Sequence, residues 1–157
     1  MTPPPAPFLA SETALADFIQ AFEQGTWPKS QWTHAAHLAM AAWYLLSLPK
    51  EQVTDRVRLG IQHYNAAVGV RNTPDAGYHE TLTLFWLGIV SDFLARRDGQ
   101  TTKLAAIREV VDEFGSQRDL YRGYYGFDVV KSREARARWM PPDDLEFPRN
   151  KNRLEDI

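Results

Sequence analysis

The chain has 157 residues, of which 44% are hydrophobic and 24% charged, with a formal net charge of −2 and no cysteine. This length supports one domain with one core. The near-neutral charge argues against a broad nucleic-acid footprint, which needs a basic excess. Without cysteine there are no disulfide frameworks, cysteine-ligated zinc sites, iron–sulfur clusters or thiol nucleophiles.

The first residues lack the charged start and long apolar stretch of a signal peptide. The longest apolar run, Leu38 to Leu46, has nine residues, against roughly 20 needed to span a bilayer. A cytoplasmic protein with no membrane partner is the expectation.

Residues 1–9 hold four prolines and are expected as an extended or disordered arm. A helical domain over 10–148 and a solvated tail over 149–157 should follow. Ser11 is placed to cap a first helix whose Leu15, Phe18, Ile19 and Phe22 share one face and which Gly25 stops. That apolar face is a candidate homodimer surface. A second helix should begin near Ser30 to Thr33 and run to about Leu46. It is apolar on nearly every side and belongs in the middle of the fold.

Pro49 suits the first position of a third, amphipathic helix over about 50–68. The turn-rich stretch Asn72 to Gly77 leads to a fourth helix from about Tyr78 to Ala95, again apolar nearly all round. Asp98-Gly99 breaks the chain before a fifth helix over about 102–114. Ser132 is placed to cap a short helix through Trp139, stopped by Pro141-Pro142. No strand alternation stands out. An all-α single-domain bundle of five to six helices is predicted.

The chain has four histidines. His34 and His37 lie at i and i+3 on helix two and so point at one object. His79 and Glu80 open helix four. Helices two and four are separated by one helix and short loops, so they should run parallel, with both motifs at one end. Histidines and a carboxylate on the two most apolar helices are costly to bury unless paired or coordinated.

His34, His37, His79 and Glu80 are therefore candidate ligands of a divalent transition metal. The donor set suits Fe, Zn, Mn or Ni rather than Ca or Mg. Adjacent side chains diverge by about 100° on a helix, so Glu80 is a candidate either for fourth ligand or for general base on metal-bound water. Asn65, Arg71, Tyr78 and Thr83 fall near the same end and are candidate substrate-binding residues, Arg71 as a planar fork for a carboxylate or phosphate.

The same residues have ordinary structural uses. A buried histidine is commonly satisfied within the core, and an acidic residue at a helix start complements the dipole.

The runs W-T-H-A-A-H-L, G-Y-H-E-T-L-T and S-R-E-A-R-A-R-W-M-P-P-D resemble a family of small bacterial proteins of uncharacterised activity, over about residues 15–145. The resemblance implies a fold and length and no mechanism, and it draws attention to Ser132, Arg136 and Asp143.

The expected function is a metal-dependent enzyme acting on a small molecule, either by hydrolysis or hydration through metal-bound water or by iron-dependent oxidation. The rival is a non-metal helical module that binds a small ligand or a protein.

Overall fold

Helix boundaries fall where short polar side chains can take up the free N–H groups of a first turn. In the computed structural model of the chain, which describes residues 6–97 and 101–143, Ser11 accepts from the Ala14 N–H at 3.0 Å and starts α1, Glu12–Gln24. Thr33 accepts from Ala36 at 3.2 Å and starts α2, His34–Ser47. Pro49 stands just ahead of α3, Lys50–Ala67, as its cap rather than as its first helical residue. The helix α4, Glu80–Arg96, is capped by His79. Thr102 caps α5, Lys103–Phe114, and Ser132 caps α6, Arg133–Ala137. The predicted sixth helix ends two residues early, where Arg138 turns to extended backbone.

Among the described residues there are six α-helices, three 3₁₀ turns and no strand, so the chain is an all-α bundle. No helix among them is long and apolar enough to cross a membrane.

The helix α2 is the central element and packs against α3, α4 and α5. Its Ala36, Ala39 and Ala42 are fully buried, and these small side chains let the neighbouring helices approach. Leu38, Met40 and Tyr44 fill the space between them.

The apolar face of α1, considered above as a dimer surface, is covered within the chain. Leu15, Phe18, Ile19 and Phe22 are all buried, with α1 against α3 and Phe22 stacked on Tyr64 at 5.6 Å. Residues 1–5 of the proline-rich arm lie outside the described residues, and the end of the arm packs against the core. Pro7–Leu9 form a 3₁₀ turn, with Phe8 held against Phe18 at 4.7 Å and Trp27 at 5.9 Å. Burying two large apolar side chains outweighs the extended preference of the prolines around them. The break at Asp98-Gly99 and the tail over 149–157 lie outside the described residues.

After α5 the chain crosses the end of the bundle where α2 and α4 begin. Its attachments are mainly to backbone. Thr81, fully buried in the first turn of α4, donates to the Arg138 carbonyl at 2.7 Å and accepts from the Met140 N–H at 3.0 Å. Arg136 donates to the carbonyls of Gly77 at 2.8 Å and Val130 at 3.2 Å. Asp143 accepts from the Gly126 N–H, and its own N–H donates to Tyr124 at 2.9 Å. Of the three residues singled out above, Ser132 is a helix cap, Arg136 ties two loops together and Asp143 closes a turn.

Candidate functional site

The N-terminal halves of α2 and α4 line one cleft of about 970 Å³. Residues of α3 and of the segment after α5 complete it. Leu38, Met40, Val57, Ile61, Leu82 and Leu87 form much of its apolar lining. Trp32, Trp86, Tyr78 and Tyr121 add aromatic surface, and Arg118, Asp119 and Arg122 add charge.

Each tryptophan is set by the core behind it. Trp32 stacks on Phe22 at 5.1 Å and leans on Tyr64 at 4.8 Å. Trp86 meets Phe85 and Phe114 edge-on.

His34, His37 and His79 all line this cleft, and each is committed to the backbone. His34 is the first residue of α2. Its Nε2 lies 3.1 Å from the carbonyl of Phe114, the last residue of α5. A carbonyl only accepts, so Nε2 carries the hydrogen and satisfies one of the free carbonyls at the end of α5. His37 donates from Nδ1 to the Thr33 carbonyl at 2.8 Å. The ring centroid of His37 is 3.9 Å from that of Trp32, and that of His34 is 4.8 Å from Trp86.

Both ring nitrogens of His79 are used. Nδ1 accepts from the Leu82 N–H at 3.1 Å, capping α4, while Nε2 donates to the Val129 carbonyl at 2.8 Å. His79 is therefore a neutral imidazole that pins the last loop to the start of α4.

Burial is the main reason all three rings stay neutral. It lowers the pKa of His34 and His79 and takes His37 down to about 4. The carbonyl bonds oppose this and are outweighed.

The metal reading does not survive this geometry. Among the described residues no three or more histidine or carboxylate side chains group in a way that could hold a metal ion. His79 has no lone pair to offer. The carboxylate of Glu80 faces α3, where Arg58 grips both its oxygens, at 2.9 Å and 2.6 Å. The Tyr78 hydroxyl donates to the same carboxylate at 2.5 Å. These partners hold Glu80 below the usual carboxylate range, the Arg58 bonds most of all. Glu80 is absent from the cleft lining. The cluster at one end of the bundle consists of helix caps and an ion pair rather than a coordination sphere.

The candidate substrate-binding residues divide. Asn65, Tyr78 and Thr83 line the cleft. Asn65 is buried and donates to Asn72 at 3.0 Å, and Asn72 in turn accepts from the Tyr78 N–H. Arg71 is exposed and lies outside the lining. Gly77 makes the turn just before Tyr78. Its φ is +83°, and a Cβ there would stand 2.3 Å from the Arg71 carbonyl, so this tight approach requires glycine.

Trp32 and Arg118 are cleft residues that motif reading missed. Trp32 directly precedes the cap of α2, which is the sequence signal for it. Arg118 lies in an irregular loop and offers none. Comparisons with family models, curated proteins and solved structures found no match.

Proposed function

We propose that the chain binds a small, planar, largely apolar molecule in the cleft between α2 and α4. The observation that carries this reading is the convergence of Trp32, Trp86, Tyr78 and Tyr121 on one space of about 970 Å³ whose remaining lining is mostly aliphatic. Ligand sites are concave and mostly apolar with a few placed polar groups, and run to roughly 1,000 Å³. Aromatic faces stack on planar ligands and contribute about 0.5–1.5 kcal/mol beyond area burial. Asn65, Thr83 and the two imidazoles of α2 supply the polar groups.

Calorimetric titration with a panel of two- and three-ring aromatic compounds tests this. Quenching of tryptophan emission should accompany saturable binding. Leu82→Trp and Thr83→Leu, which fill the cleft from α4, should each weaken binding while far-UV circular dichroism stays helical. Absence of binding by every member of the panel to the folded wild type would sink the reading.

A further inference from the structure

Resting on that binding reading, we propose that the ligand is an aromatic acid whose carboxylate is taken by Arg118 at the cleft mouth while its ring system lies inward against Trp32 and Trp86.

The charges around the site single out Arg118. Arg58 is occupied by Glu80 and Asp55. Arg136 is spent on backbone carbonyls. Arg122 and Asp119, the other charged residues of the cleft lining, face each other across 4.0 Å. Arg118 lines the cleft, is exposed, and has no carboxylate or hydrogen-bond partner among the described residues. Arg118 shares the cleft lining with His34 and His37, and its charge adds to the burial that lowers the pKa of both. A planar guanidinium with a free fork matches a carboxylate in two parallel bonds.

The imidazoles orient the ligand. With Nε2 of His34 and Nδ1 of His37 donating to carbonyls, the opposite nitrogens, Nδ1 of His34 and Nε2 of His37, are lone-pair acceptors. No buried side-chain nitrogen or oxygen lacks a partner among the described residues. His34 and His37 both line the cleft, so these two acceptors are the ring nitrogens left for a ligand there. Acceptors repel a carboxylate, so the anionic end belongs at Arg118 and the ring, with any N–H or O–H it carries, belongs at the histidines.

The test compares naphthalene-2-carboxylate with its neutral methyl ester by calorimetry at pH 7.5, in wild type, Arg118→Gln and Arg118→Lys. Arg118 is exposed, so neither variant threatens the fold. The acid should bind wild type about tenfold tighter than the ester, the gain expected of one charge-assisted pair. That gap should close in Arg118→Gln, survive largely in Arg118→Lys, and narrow with added salt.

Equal binding of acid and ester by wild type would overturn the carboxylate assignment and leave the aromatic cleft standing. An acid preference unchanged in Arg118→Gln would also overturn it, by placing the anion elsewhere. Failure of both compounds to bind would remove the cleft reading and this inference together.

Discussion

The imidazole of His34, at the first residue of α2, donates to the carbonyl of Phe114, the last residue of α5, at 3.1 Å. One side chain thus joins the start of the central helix to the end of its most extensive neighbour. Replacing it by alanine leaves a partly buried helix-terminal carbonyl without that partner. His34→Ala should lower stability by about 1–2 kcal/mol, read from urea denaturation. Amide exchange should quicken first in the last turn of α5.

His79 holds two elements at once, the N-terminus of α4 and the loop at Val129. His79→Ala loses both bonds and should cost about 2–3 kcal/mol. Asparagine caps helices well but is too short to reach Val129 as imidazole does, so His79→Asn should recover part of the loss. Equal destabilisation by the two substitutions, measured by thermal or urea unfolding, would show that the cap contributes nothing.

Mild acid should weaken the fold before carboxylates titrate. His37 is neutral in the folded state down to about pH 4, while in the unfolded chain it takes a proton near pH 6.5. The unfolded state therefore binds more protons between these values, and stability falls as pH drops through that window. His34 and His79 shift in the same direction. The contribution of His37 is at most about 3 kcal/mol. Glu80 acts lower on the scale. Its folded pKa is depressed by Arg58, so its stabilisation is complete above the ordinary glutamate value of about 4.3 and is lost as pH falls through the lowered one. Unfolding free energies from pH 7.5 to 4.5 should slope downward in wild type, and less steeply in His37→Gln.

Thr81 is fully buried and bonded twice to the backbone of the last segment. Thr81→Val keeps the shape and leaves the Met140 N–H without its acceptor. A loss of about 1–3 kcal/mol is expected, together with faster proteolysis after α6. A near-neutral effect would mean that water replaces the hydroxyl.

Much of the architecture was legible because it is local. Ser11, Thr33 and Ser132 cap the helices that follow them, since a cap needs only a short polar side chain three residues ahead of an N–H. The all-round apolar pattern of α2 placed it at the centre of the bundle, as α2 packs against three other helices.

The chemistry of the histidines was not legible. The partners of His34 and His79 are carbonyls 80 and 50 residues away, and every residue has a carbonyl. Three imidazoles near one end of the bundle read as a coordination set in sequence, yet their hydrogens are directed at carbonyls of helix ends and loops, and the lone pair of His79 is spent on the cap of α4. Glu80 was likewise read with its neighbour His79, whereas its partner Arg58 lies 22 residues earlier, on α3. Phe8 and Leu9 were hidden by the prolines around them.

The last segment closes the cleft through bonds that mostly recognise main chain, at Gly77, Val129, Val130, Arg138 and Met140. Apart from those made by Arg136, such fastenings are indifferent to which side chains the segment displays. Asp119 and Arg122, both exposed, can therefore be exchanged without unseating the wall that carries them. The fold separates the task of holding the wall from the task of choosing what it touches, so new selectivity can arise by single substitutions in one loop while the helical frame stays unchanged.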